Sequence, residues 1–190
     1  DCYGHPVSCY RVQDVNLQKL SKKFEDTQGI TKPMSRGLSV LKRLKDKITQ
    51  EVGYPVRKNV VIVDLTGLSM FSFMRYQAHV KALADVAYLY FPDHVFKIFL
   101  VNPTTLFNVI WGIASVWIDP VTEKLIRKLG TSKEALPKWK DYGIPLESVP
   151  VQLGGKSKGV RWLDLNRAAV AASEKKSTTN KDTRDMRQKF

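Results

Sequence analysis

Residues 59–65 read Asn-Val-Val-Ile-Val-Asp-Leu, and this run constrains the fold more than any other segment. Four consecutive apolar residues, Val60 to Val63, all of them β-branched, favour extended backbone. A strand with no polar alternation has no face to give to water, so it must be covered on both sides. That is the condition of an interior strand in a parallel sheet, and parallel neighbours need crossover connections of a dozen residues or more.

The flanking segments supply such crossovers. Ahead of the run, Met34, Leu38, Leu41, Leu44, Ile48 and Val52 recur at spacings of three and four, which predicts a helix opened by Pro33 and ended by Gly53 and Pro55. Residues 28–32 read as a loop before it, residues 15–24 as a polar helical piece, and residues 7–12 as a short first strand. Beyond Gly67, Phe73, Tyr76, Val80, Leu83, Ala87 and Tyr90 share one face of a helix expected over residues 72–90. Phe96 to Val101 form the next apolar run, and Asn102-Pro103 turns the chain into a helix over residues 104–118. Asp119 is a natural N-cap and Pro120 a natural first helical residue, so another helix is expected to run from there to Leu129-Gly130. A short helix over 133–141 and a last extended piece over 149–153 follow. The expected architecture is α/β, with a mixed, largely parallel sheet flooring an apolar pocket covered by helices. Residues 1–157 are expected to form that domain and residues 158–190 a basic, polar, flexible tail, because residues 173–190 carry almost no apolar side chains.

Composition bounds the function. The chain has 190 residues, 31 Lys and Arg against 18 Asp and Glu, and a formal net charge of +13. Such an excess points to an anionic partner, a membrane surface, a nucleic acid or an acidic protein. Cys2 and Cys9 are the only cysteines; two thiols fit a reducing compartment, with a Cys2–Cys9 disulfide left open.

Motifs for covalent chemistry are incomplete. Gly154-Gly155-Lys156-Ser157 resembles the end of a phosphate loop, yet Pro150 stands where its first glycine belongs. Gly67-Leu68-Ser69-Met70-Phe71 lacks the second glycine of a nucleophile elbow, and the bulk of Phe71 blocks the tight turn. His5, His79 and His94 fall in no metal-binding spacing and read as surface histidines. No catalytic residue and no metal ligand is assigned, and the chain is not expected to be an enzyme.

The segment over 104–118 is the unusual one. One helical face would carry Phe107, Ile110, Trp111, Ala114, Trp117 and Ile118, the other Leu106, Val109, Ile113 and Val116. A helix apolar all round is either a core helix or one that meets lipid, and two tryptophans favour an apolar–polar boundary.

An ordered set of short motifs brings a family into view. Asp1-x-x-Gly4-x-Pro6-Val7, Val60–Gly67, Phe91-Pro92-Asp93, Asn102-Pro103, Asp119-Pro120-Val121-Thr122, Leu129-Gly130 and the run from Val149 to Ser157 together resemble the CRAL-TRIO domain of the yeast phosphatidylinositol/phosphatidylcholine transfer protein family. The resemblance covers residues 1–157. It implies a gated pocket that holds a single hydrophobic ligand, a phospholipid such as phosphatidylinositol or another lipid, and transfers or presents it at membranes. On this pattern the pocket is lined by Asn59, Val61, Val63, Phe99, Phe107, Ile110, Trp111 and Ala114. Leu106, Ile113 and Trp117 belong to the gate and its membrane contact, and Asp93, Thr122 and Lys124 to the headgroup. No cofactor is implied beyond the bound lipid. The implied partners are an anionic membrane surface and other domains of a longer protein. The implied location is cytoplasmic and peripheral to membranes.

The match departs from the family in three places. Leu125 stands where phosphatidylinositol binders carry lysine, and Lys124 beside it is rotated by about 100° on a helix. Asn59 and Val61 stand where phosphatidylcholine binders carry serine and threonine, and Val61 donates no hydrogen bond. The family's small N-terminal helical module, a source of one basic headgroup contact, would precede Asp1. Two rival functions remain: an interaction module that docks on membranes or proteins with little transfer, and nucleic-acid binding through the basic tail. The tail lacks interleaved aromatics, so nucleic acid is not the expected partner.

Overall fold

The computed structural model describes residues 1–16, 18, 28–91 and 93–159. The polar helix expected over 15–24 and the tail expected over 158–190 lie largely outside them. Within Asp1–Lys158 the chain forms one compact unit. Strands β1 (Val7–Arg11), β2 (Asn59–Asp64), β3 (Val95–Val101) and β4 (Ile126–Gly130) form one sheet in the order β1-β2-β3-β4. Every neighbouring pair is parallel. The apolar run at 59–65 therefore lies where its composition requires, paired on both sides.

Helix α1 (Gln28–Val52) and helix α2 (Met70–Tyr90) make the first two crossovers. The loop expected over 28–32 is instead the first part of α1, whose backbone runs through Pro33. A proline this near a helix start leaves only one early carbonyl without its helical partner. The Ser69 hydroxyl accepts the Ser72 N–H and caps α2, which kinks at Tyr76.

The third crossover is where the sequence expectation changes most. Helix α3 (Phe107–Ala114) is followed by a 3-10 turn at Ser115–Trp117, and α4 (Pro120–Glu123) is a single turn. Asp119 caps α4 as expected, its Oδ1 accepting from Val121 and Thr122 N–H. The helix expected to reach Leu129 stops there, because Ile126–Gly130 pairs with β3 as the fourth strand. Helices α5 (Ser132–Ala135) and α6 (Lys138–Asp141) divide the expected helix over 133–141. The extended piece at 149–153 is mostly a 3-10 turn, Val151–Leu153, held by a bridge between Pro150 and Ser157.

Strand alternation gives the sheet two unlike faces. The back face carries Val60, Ile62, Phe99, Val101 and Leu129, all nearly or fully buried against Trp139, Ile144, Val149 and Leu153. The front face carries Ser8, Val61, Val63, Ile98, Leu100, Ile126 and Lys128 by register. There Leu65, Leu100 and Phe107 are buried, with Val63, Ile98, Trp111 and Ile126 packed around them and only partly buried. Both cysteines are free thiols.

Candidate lipid site under helix α3

The back face is a finished core, while apolar side chains on the front face keep access to space. Val61 and Val63 lie on the central strand β2 and Ile98 on β3, yet all three are only half-buried. Their back-face neighbours Ile62 and Phe99 are 0% exposed. Valine and isoleucine on interior strands are ordinarily closed over by their neighbours, and here the front-face ones are not.

Phe99 was expected among these pocket residues and is not there. It points to the back, where its ring meets Trp139 at 5.3 Å and Tyr142 at 4.8 Å. The reason is register: Phe99 pairs with Ile62, whereas Ile98 and Leu100 pair with Val61 and Val63. The front-face positions of β3 are therefore Ile98 and Leu100.

Asn59 begins β2 at the edge of this floor and is 3% exposed. Ser8 Oγ donates to the Val60 carbonyl at 3.2 Å, so its hydroxyl can only accept from Asn59 Nδ2, 3.4 Å away. That orients the amide and leaves Asn59 Oδ1 buried with no hydrogen-bond partner. A buried acceptor without a donor is costly, and a ligand hydroxyl or amide would satisfy it. Val61 contributes only its methyl groups.

Helix α3 spans the front. Phe107 and Ile110 are buried, Trp111 and Ala114 half-buried, and the Phe107 and Trp111 rings lie 5.8 Å apart. On the other side Leu106, Val109 and Val116 are 47%, 56% and 77% exposed. Leu106 thus faces outward as expected, and Val109 and Val116 join it. Ile113 is half-buried. Trp117 is turned away from the outer face: its ring stacks on Phe73 of α2 at 5.9 Å. The change from α-helix to 3-10 turn after Ala114 tightens the rotation per residue and swings Trp117 toward α2.

A polar network roots this segment in the sheet. Asp64 Oδ1 accepts from Thr66 N–H and Oγ1 at 3.1 and 2.7 Å and from Asn102 Nδ2 at 2.9 Å. Asn102 Oδ1 in turn accepts from Ser132 N–H and Oγ, and the Asn102 N–H donates to the Gly130 carbonyl. Arg11 Nε stands 3.6 Å from Asp64 Oδ2. Burial pushes the Asp64 carboxyl up, but the bonds from Asn102 and Thr66 and the Arg11 charge outweigh it, and its pKa falls below 3.8. Asn102 sits in left-handed backbone, φ 55°, a conformation asparagine tolerates. The chain therefore leaves the sheet for α3 from a fixed point.

The expected headgroup residues gather at the other end of the sheet, where β3 and β4 begin. Asp93 is exposed and adopts φ 54°. Thr122 is engaged with Asp119, whose carboxyl its side chain and backbone hold below the ordinary value. Lys124 is exposed, and its carbonyl accepts from Arg127 Nη1 at 2.7 Å. The structure brings Val61, Val63, Phe107 and Trp111 to one face, with Asn59 at its edge. It leaves Phe99 on the other side. Lys128 was missed in the sequence: it sits on the front face of β4 with its ammonium over the aromatic rings of α3. Among the described residues, no cluster of acidic, histidine and cysteine side chains is placed to hold a metal ion. No described helix is long and apolar enough to cross a membrane.

Comparison with known proteins agrees with this geometry. The family model described as the CRAL/TRIO domain matches residues 1–155. A SEC14 cytosolic factor of Eremothecium gossypii is 30% identical over 156 residues, 81% of this chain and 49% of the relative. A CRAL-TRIO domain-containing protein of Saccharomyces cerevisiae is 25% identical over the same share of this chain. A phosphatidylinositol transfer protein of Eremothecium gossypii, CSR1, is 32% identical over 102 residues, 54% of this chain and 22% of the relative. The chain spans about half the length of the first two of these relatives.

Proposed function

The chain belongs to the CRAL/TRIO domain family, and from that premise we propose that it encloses one lipid molecule between the front face of its sheet and helix α3 and delivers it at a membrane surface. One observation carries the reading: half-buried Val61, Val63 and Ile98 lie on the central strands beneath a helix that is apolar on both faces. The inner face, Phe107, Ile110, Trp111 and Ala114, meets acyl chains. The outer face, Leu106, Val109 and Val116, meets the bilayer when the helix swings out, with half-buried Ile113 following it.

The energetics require closure. At about 0.8 kcal/mol per buried CH₂, a chain of about sixteen carbons hides on the order of 12 kcal/mol from water. A helix that opens only against a bilayer avoids losing this to solvent. The +13 charge holds the domain near anionic headgroups, each nearby Lys or Arg contributing about 1 kcal/mol.

Asn59 Oδ1 favours a ligand that carries a hydrogen-bond donor deep in the pocket. Asp93, Thr122 and Lys124 would meet a headgroup near the surface, with Thr122 shared with Asp119. The reading involves no covalent step. The names of the relatives, cytosolic factors and a phosphatidylinositol transfer protein, support action at the cytoplasmic face of membranes as a peripheral protein and a phospholipid as the cargo.

Transfer of a fluorescent phospholipid between donor and acceptor vesicles tests the proposal. Trp111→Asp should abolish transfer while the circular dichroism of the fold largely persists. Tight binding to anionic vesicles without any lipid movement would instead identify a docking module.

A further inference from the structure

Residues Lys42, Lys45, Asp46 and Thr49 follow one another at spacings of three, one and three, and so share one face of α1. That face, the loop Pro55-Val56-Arg57 and the residues Asp93 and His94 line a surface cleft of about 550 Å³. Two hydrogen bonds fix its walls. Val56 N–H donates to Thr49 Oγ1 at 2.8 Å, and Lys45 Nζ donates to the Arg57 carbonyl at 2.7 Å. Asp93 excepted, the cleft shares no residue with the lipid site under α3.

Lys45 is the unusual member. It is 2% exposed, and a lysine is almost never this buried without a counter-charge. Among the described residues its one hydrogen-bond partner is a neutral carbonyl, and no described carboxylate lies within ion-pair distance. Burial lowers its pKa from 10.5 to about 8. Lys42 and Arg57 are exposed at the rim, and neither makes an ion pair among the described residues. Asp46 and Asp93 also line the cleft, leaving three cations against two carboxylates.

We propose that this cleft is a second ligand site, one that takes a phosphate monoester, with Lys45 as the buried anchor and Lys42 and Arg57 closing from the rim. A phosphate monoester brings about −1.5 to −2 charges and three acceptor oxygens. It gives Lys45 a direct counter-ion, where the Asp46 carboxylate acts on it only from beyond ion-pair distance, and the planar Arg57 guanidinium matches it with two parallel donors. The volume suits a small phosphorylated headgroup or metabolite. The acidic rim residues disfavour extended polyanions and select a compact one. This site does not depend on the lipid cargo.

The test uses the full chain and three probes: inorganic phosphate, inositol trisphosphate, and phosphatidylcholine vesicles carrying a phosphatidylinositol phosphate. Calorimetry should give saturable one-site binding of inositol trisphosphate, and Lys42→Glu and Arg57→Glu should each weaken it by about tenfold. Arg57→Lys should retain most of it. Recruitment to the phosphoinositide vesicles beyond that to phosphatidylserine vesicles of equal charge identifies the ligand as a lipid headgroup. Saturable binding of the soluble probes without such recruitment identifies it as a soluble phosphate. Wild-type affinity in both charge reversals, or no saturable binding of any probe, overturns the proposal. All of these readouts stand apart from phospholipid transfer, so the two functions fail separately.

Discussion

The Lys128 ammonium lies 4.7 Å from the ring centroid of Trp111 and 5.0 Å from that of Phe107. One cation on an edge strand thus rests on two rings of helix α3. A cation over an aromatic face contributes about 0.5–1 kcal/mol at an exposed site, so in the proposed function the pair would latch α3 at little cost to release.

Removing the latch should favour the open helix. Lys128→Ala is expected to raise the rate of spontaneous lipid loss by roughly twofold to tenfold, read by stopped-flow release of a fluorescent phospholipid. Lys128→Arg should keep the closed state, since guanidinium stacks on aromatic rings at least as well. Unchanged release in the alanine variant would remove Lys128 from the gate.

The outer face of α3 should matter to membranes and not to folding. Val116 is 77% exposed, and a polar substitution there costs within about 0.5 kcal/mol of stability. Leu106→Asp with Val116→Asp should leave the thermal midpoint nearly unchanged and sharply reduce vesicle binding and transfer.

Acid should loosen the root of α3. The Asp64 carboxyl is depressed below 3.8 in the folded chain, so the unfolded chain takes its proton first as pH falls. The stability that Asp64 contributes is fully present above that ordinary value and is lost as pH falls through the folded pKa. Asp64→Asn should therefore be less stable at neutral pH and show a shallower loss in acid, read by urea denaturation across pH.

Lys45 predicts a dependence of the same sign in an alkaline window. Its folded pKa of about 8 lies below the ordinary 10.5, so between these values the unfolded state binds more protons. Stability from this group therefore rises as pH climbs through that window. Lys45→Met, which keeps the apolar stem, should abolish the rise.

Much of this was legible in the sequence. The β-branched run at 59–65 led to the central strand, and Asp119 and Pro120 mark a real helix start, while the helix expected from residue 72 begins at Met70 behind a Ser69 cap missed in the sequence. Strand β4 was hidden because Asp119-Pro120 is a sound helix start. What ends the helix after one turn is pairing of Ile126–Gly130 with β3, a tertiary effect no local signal carries. Phe99 was placed on the wrong face for a related reason. The register of β3 shifts at Asn59/Val60, and a one-residue change reverses every side chain. Lys128 and the basic cleft were invisible because each joins segments distant in sequence.

Native mass spectrometry of the purified full chain, with lipid extraction of the same sample, tests the gated pocket most directly. The expected result is one lipid-sized adduct per chain, released by organic solvent and replaced by lipid from vesicles. A chain that carries no lipid and takes none up from vesicles would contradict it.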